Sequence, residues 1–523
     1  MLAKLITPFA WLIPLLLIIG CSSSSSNGDP AADGDTDADA GDVESEQEAD
    51  ANGENEADGD AEEGPPRFEP IECPEVEGTA MNLREKAAAF DAVARRWHLP
   101  AGQDLWFGVL LMEDLQTFDT VDMSDNVGTW TALYSASQSF RYAATRDPEA
   151  LENLRRVMRG EHDMLRITGV RGLFTRAFVN PELPGFPTPE QLENWYPECD
   201  LSVEHCKRFN EVTEGEFAGW WFKNDVSKDE YAAHMFSMAV ALEIVDDPEV
   251  REHAAEIVKA VGDHLVDNTL KLVDIDGQVT TFGHLTPYAL DDFPGFNALL
   301  ALSWVRMAAA VGGEKYQSFY DDCLLQKNGA NDCIPGEPDE PFTSHLSDVG
   351  LDLDCTTNWN NHNMAQLSMY ALLRTESDPA LKAIYQDALR DSLWDADDPR
   401  PMSAQENSLY TFFYLVNKKS TDPWPEEAAR KAICSLNRYP ESKEHRPVDT
   451  LSRYTEVCRD RSDDPLAGVL IPIEERKADN FQWIGNPYLM EQEDGNPAHV
   501  ESPEDYLLAY WMGRYFGFIG EDM

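Results

Sequence analysis

Three regimes of hydrophobic and polar patterning divide the chain. Residues 5–19 are predominantly apolar and follow a single basic residue, Lys4. That run is too short to read as a spanning helix, and it has the layout of a secretory signal. Residues 22–66 then contain almost nothing but Ser, Gly, Ala, Asp, Glu and Asn. With no apolar surface to bury, such a segment is expected to be an extended tether. From about residue 80 onward the apolar positions recur at helical spacing, interrupted by long irregular stretches.

The helical part repeats one design. Arg146-Asp147-Pro148-Glu149, Asp246-Asp247-Pro248-Glu249, Ser377-Asp378-Pro379-Ala380 and Thr421-Asp422-Pro423-Trp424 each join two helical patterns. Asp suits the N-cap and Pro the first turn, so each joint predicts a helix start. A rather apolar helix precedes each joint (127–145, 230–245, 361–375, 403–418), and a more amphipathic one follows (148–167, 248–270, 379–394, 424–436). Residues 296–311 and 315–326, joined by Gly312-Gly313, make a fifth pair. Residues 83–97 and 506–516 make a sixth if the two ends of the domain meet. Apolar inner helices each followed by an amphipathic outer one are what a closed double ring demands. An open α-solenoid or two bundles are the alternatives. The irregular inserts at 171–222, 277–293, 328–357 and 439–503 favour the ring, because a solenoid would keep a tighter period. Within them, 172–179 and 278–282 read as short strands.

Charge narrows the partners. The chain has 41 basic and 96 acidic residues. Sixteen of the acids, and no Lys or Arg, lie in residues 22–66. Setting these and Lys4 aside leaves 40 basic against 80 acidic residues in the 457 that follow. A surface this acidic argues against nucleic acid and, less strongly, against a polyanionic substrate. One acidic frame (Asp33, Asp35, Asp37, Asp39, Glu44) mimics a calcium loop, but Ala38 stands where that turn needs Gly. Eight cysteines besides Cys21, an even number in an exported chain, read as disulfides. Short spacings suggest Cys199–Cys206, Cys323–Cys333 and Cys434–Cys458, leaving Cys73–Cys355, one connectivity among about 105.

Two resemblances sharpen the picture. Leu17-Ile18-Ile19-Gly20-Cys21 resembles the lipobox of bacterial lipoproteins. That implies a signal peptide at 1–20, a diacylated Cys21 heading the tether at 21–66, and a folded domain at 67–523. Ser22 after the Cys implies, by analogy with Gram-negative sorting, the outer membrane. The segments from Asp225 to Phe236, Asn360-Asn361-His362-Asn363 with Tyr370 to Arg374, and Asp505 to Phe518 resemble uncharacterised exported bacterial proteins with a six-hairpin (α/α)6 toroid. The expected fold class is therefore mainly all-α. That toroid is similar to those of six-hairpin glycosidases, uronyl hydrolases and some polysaccharide lyases. It implies a glycan partner and a cleft at one end of the ring, by fold analogy.

Candidate chemistry then concentrates before the inner helices. Trp220 and Trp221 could stack on sugar rings, while Asp225, Asp229 and Glu230 could supply a general acid and a base or nucleophile. Glu230 also fits a capping box with Ser227, repeated by Ser403 with Glu406 and approximated by Ser502 with Asp505. His234 lies four residues from Glu230 on one helix face beside Tyr231, either in the core or in a cleft. Asn358, Asn360, Asn361 and Asn363 surround His362 at a helix start, to brace neighbouring helices or to line a cleft. Glu406 with Asn407, Asp291 with Asp292, and Trp483 with Asn486 have weaker claims. A sugar epimerase using His234 with His362, and a non-catalytic glycan-binding or structural lipoprotein, are the rival readings. No Gly-rich phosphate loop, HExxH, GxSxG or metal-spaced His/Cys set occurs, so neither a cofactor nor a metal is expected.

Overall fold

A computed structural model describes Cys73 and residues 80–199, 205–289, 294–329, 333–335, 340–349, 353–394, 399–479 and 485–523. The expectations for the signal, Cys21, the tether with its acidic frame, Asp291, Asp292 and Trp483 lie outside these residues. The helices in chain order are α1 (Leu83–Val93), α2 (Val127–Thr145), α3 (Pro148–Arg166), α4 (Pro189–Glu193), α5 (Lys228–Ile244), α6 (Pro248–Asp267), α7 (Pro294–Val311), α8 (Glu314–Ser318), α9 (Trp359–Thr375), α10 (Pro379–Ala388), α11 (Ser408–Asn417), α12 (Glu426–Arg438) and α13 (Glu504–Phe516). Single π-helical turns extend α1, α8 and α10.

Helix contacts close a ring. Each of α2, α5, α7, α9 and α11 packs on the next in that order, α11 packs on α13, and α13 returns to α2. Outside them lie α3, α6, α8, α10, α12 and α1, the last resting on α13. The chain is thus a mainly α toroid of six hairpins, the sixth joining its two ends. The inner helices are buried almost all round: α7 is apolar and long enough to cross a membrane, yet is a core helix here, 78% buried. The outer helices bury one face, as α3 does with Ala150, Leu154, Val157 and Met158. Aromatic side chains enter the centre of the ring. Phe236 of α5, Tyr370 of α9 and Phe413 of α11 meet there with centroids 4.7–5.4 Å apart.

Caps separate the correct sequence expectations from the wrong ones. Asp147, Asp247 and Asp378 accept from backbone N–H groups of the first turns of α3, α6 and α10. Asp422 does not cap. The helix starts later, at Glu426, and Asp422 instead pairs with Arg390 at 3.3 Å. None of the three Ser boxes forms. The Ser227 hydroxyl bonds Asp229, leaving Glu230 to turn inward. Ser403 lies in a separate 3-10 turn, and Asn407 caps α11 by accepting from Tyr410 N–H. Near Ser502, Asp505 turns instead to Lys443, 3.0 Å away. At Asp505 a buried partner outcompetes the local turn, whereas at the other two a nearby side chain, Asp229 or Asn407, takes over.

The inserts form small antiparallel sheets. Ala177–Val179, Trp221–Lys223 and Phe209–Glu211 make one of three strands, with Trp221–Lys223 central, and Lys271–Val273 pairs with Val279–His284. A four-stranded sheet, not foreseen from the pattern, runs Phe118–Asp122, Gly108–Leu111, Asn496–Val500, Glu444–His445. It ties early residues to late ones beside the α1–α13 closure. Four disulfides form: Cys199–Cys206 and Cys323–Cys333 as expected from spacing, but Cys73–Cys434 and Cys355–Cys458 in place of Cys434–Cys458 and Cys73–Cys355. Short separation identifies a pair only when the loop folds back on itself. Cys434 sits on outer helix α12, and the later insert carries Cys458 towards the residues before α9.

Candidate functional site

The inner helices start together at one end of the ring. Asp229 in the first turn of α5 accepts from Asn360 Nδ2 of α9 at 2.9 Å, and Lys228 Nζ reaches Asn297 Oδ1 of α7 at 2.9 Å. Near the start of α2, Gly128 abuts both Glu230 and His234 of α5, where any side chain would collide. Deeper in, Tyr410 of α11 donates to Asn363 of α9 at 2.5 Å. Parallel helix starts bring N-terminal dipole ends together, a setting that favours negative charge.

Asp225 is the most constrained candidate. Its φ is 55°, left-handed backbone that a non-Gly residue holds only where surroundings enforce it. Asp274 accepts its N–H at 2.9 Å, and Arg176 Nε donates to its carbonyl at 2.6 Å. Its carboxylate accepts from Thr281 N–H at 2.7 Å and Thr281 Oγ1 at 2.9 Å, and meets His205 Nε2 at 3.1 Å. His205 Nδ1 faces Asp276 at 2.8 Å. Burial alone would lower the pKa of His205, but its bonds to Asp276 and Asp225 outweigh that and raise it. Ligating atoms of His205, Asp225 and Asp274 lie within 4.8 Å of one another, close enough to share a cation.

Next to this cluster Asp125, just before α2, faces two lysines: Lys207, and Lys223 at 3.0 Å. Burial pushes the Asp125 carboxyl up, yet the two ammonium groups together hold it below the usual carboxylate range. Burial lowers the pKa of Lys223. Trp221 is half-buried in the central strand of the three-stranded sheet, and Trp220 packs against Phe178 and Phe217. Asp229 and Asn361 are half-buried and Asn360 is exposed. These are the sequence candidates that a ligand can reach.

Glu230, Tyr231, His234 and His362 are different, each 0% exposed. Burial, then the neighbouring Asp229, pushes the Glu230 carboxyl well above its ordinary range, outweighing the Arg176 charge and the Thr129 backbone N–H. His234 stacks on Phe174 and turns Nδ1 to Glu161 at 2.7 Å. Tyr231 donates to the Gly172 carbonyl at 2.7 Å. His362 packs between Trp359 and Tyr410, and burial drives its pKa down to about 3. The two histidines keep separate company, His234 with Glu161 and His362 with Gln366. Glu406 holds left-handed φ 56° and pairs with Arg438.

No family model and no curated protein matches this chain. Among solved structures, a GH76 α-mannanase from Bacteroides thetaiotaomicron matches at 9% identity, over 84% of this chain and 96% of that one, with a TM-score of 0.33. An unsaturated glucuronyl hydrolase from Streptococcus agalactiae matches at 10% identity, over 87% and 98%, with a TM-score of 0.35. Likeness of this extent identifies neither a family nor an activity, and the ring described above rests on its own helix contacts.

Sequence reading missed His205, Asp274, Asp276, Asp125 and Lys223, which the structure gathers around Asp225. The only local signals were Asp276-Gly277, which marks a turn, and Asp125-Asn126 ahead of an apolar helix. Neither points to chemistry until the inserts fold back over the ring.

Proposed function

We propose that the chain is an exported, lipid-anchored carbohydrate-active enzyme whose cleft lies over the inner-helix starts. The observation that carries this reading is Asp229. It is a ligand-accessible carboxylate at the meeting point of α5 and α9, bonded to the amide of Asn360, in the same insert-covered end as Asp225 and Trp221. Asp229 acts as base or nucleophile, Asn360 and Asn361 bind hydroxyls, and Trp221 offers an aromatic face. The surplus of acidic residues favours a neutral glycan over a uronate.

The test is a glycan-release screen with the full chain and Asp229→Asn, products read by mass and by the absorbance of unsaturated ends. Release that falls about 10²–10⁴-fold in the variant is the expected result. Unsaturated ends would mark elimination and their lack hydrolysis. Silence of the folded wild-type protein across neutral and acidic glycans would sink the reading. A second reading, a glycan-binding or structural lipoprotein, is favoured by the entry of Phe236, Tyr370 and Phe413 into the ring centre and by the full burial of Glu230. Binding without release would select it.

The anchor is Cys21 and the outer membrane its destination. Labelled palmitate should enter the wild-type chain and not Cys21→Ala; equal labelling of both would refute the lipid site.

A further inference from the structure

The four-stranded sheet carries a second concentration of donors, separate from the helix starts. His499 and Glu501 are two residues apart, so they project from one face of the strand Asn496–Val500 and its exit. His445 comes from the neighbouring strand Glu444–His445. The two imidazoles lie face to face, centroids 4.2 Å apart and planes 8° from parallel. Both bring Nε2 close to one atom: Glu501 Oε1 is 2.8 Å from His445 Nε2 and 3.4 Å from His499 Nε2. One ligand atom from each of the three residues lies within 4.8 Å of the others.

These separations fit a metal shell. With bonds of about 2.0–2.1 Å in a tetrahedron, neighbouring ligand atoms stand about 3.3 Å apart. Without a cation the rings divide the carboxylates, His445 Nε2 meeting Glu501 and His499 Nε2 meeting Asp122. A divalent cation would satisfy both ring nitrogens and the carboxylate at once. An outer partner is also in place. Glu493 Oε1 lies 2.6 Å from His445 Nδ1 and so fixes the ring with Nε2 inward, as carboxylates do behind metal-bound histidines. Asp122 Oδ2, 3.2 Å from His499 Nε2, brings a further carboxylate from a third strand.

We propose that His445, His499 and Glu501 form a divalent-metal centre, supported by Glu493 and with Asp122 alongside. Two imidazoles with one carboxylate suit Zn²⁺ and disfavour Ca²⁺ and Mg²⁺, which prefer all-oxygen shells. Three protein ligands leave a position open to water or Asp122. His445 also borders a cavity of about 690 Å³ walled by Glu444, Arg446 and Asp494. The centre would pin strands from residues 118–122, 444–445 and 496–501, where the two ends of the ring domain meet. It stands independently of the proposed glycan chemistry.

The full chain, stripped with chelator and dialysed, is titrated calorimetrically with Zn²⁺, Ca²⁺ and Mg²⁺, and separately loaded with Co²⁺. Expected are saturable Zn²⁺ binding, no heat from Ca²⁺ or Mg²⁺, and a visible Co²⁺ absorption band of a low-coordinate site. Glu493→Gln should weaken Zn²⁺ about 10–100-fold and His445→Ala with His499→Ala should remove it. Asp494→Asn, on the cavity wall, should leave it unchanged. Zn²⁺ binding by the folded double-His variant that equals wild type overturns the proposal. If that variant fails to fold, a wild-type chain that takes up no Zn²⁺, or shows only the weak band of octahedral aqueous Co²⁺, overturns it alone.

Discussion

Glu230 and Asp229 are adjacent, yet their surroundings make them different groups. Asp229 keeps partial exposure and bonds Ser227 and Asn360. Glu230, one residue on and about 100° round the helix, enters the seam between α5 and α2. A carboxylate there loses its hydration, and the Thr129 backbone N–H and the Arg176 charge return too little, so the protonated form is preferred. The sign of the pH dependence follows. Because the folded pKa lies above the unfolded value near 4.5, the contribution of this group to stability is complete below about 4.5 and is lost as pH rises through the folded pKa. Glu230→Gln removes that loss. Thermal midpoints of wild type and variant should be similar at pH 4 and diverge in favour of the variant by pH 7; parallel curves would show that Glu230 ionises freely. The capping box read from Ser227 and Glu230 was chemically sound, but local sequence carries no information about the packed seam beside it.

At the scale of elements, three Asp-Pro joints behave alike and the fourth does not. Asp247 caps α6 at Val250 N–H and also holds Arg155 of α3, so it serves its own helix and the neighbouring outer one. Asp422 precedes α12 by four residues and holds only the partly exposed Arg390 among side-chain charges. Asp247→Ala should therefore cost about 1–2 kcal/mol and Asp422→Ala under about 1 kcal/mol, read from urea midpoints. Equal losses would mean that capping adds nothing to α6. Helix pairs were legible because an inner helix such as α7 is apolar nearly all round and an outer one such as α3 on a single face. The sheet joining Gly108–Leu111 to Asn496–Val500 was not legible. Its strands are short, and they pair residues nearly 400 apart.

Across the whole molecule, closure of the ring brings the two ends of the domain together, and a disulfide reinforces it. Cys73–Cys434 spans 361 residues, whereas Cys199–Cys206 spans 7. Loop-closure entropy assigns roughly 6 kcal/mol to the first and roughly 2 kcal/mol to the second, less whatever Cys355–Cys458 already constrains. Cys73→Ser with Cys434→Ser should thus lower the unfolding midpoint clearly more than Cys199→Ser with Cys206→Ser. The reverse order would place the greater effect in native contacts of the 199–206 loop rather than in chain entropy.

By itself the sequence determined the alternation of inner and outer helices, the number of hairpins, three of four Asp caps and the two short-range disulfides. Each of these depends on residues close in the chain, where propensity, period and spacing act. Only the tertiary structure decided that Glu230, His234 and His362 are buried. Contacts between distant segments likewise decided the company of Asp225 (His205, Asp274 and Asp276), the partners of Cys73 and Cys355, and the meeting of His445 with His499 and Glu501. In each case a side chain's environment is made by segments tens to hundreds of residues away. Burial and charge arising from that company set what the group can do, and no local pattern encodes them.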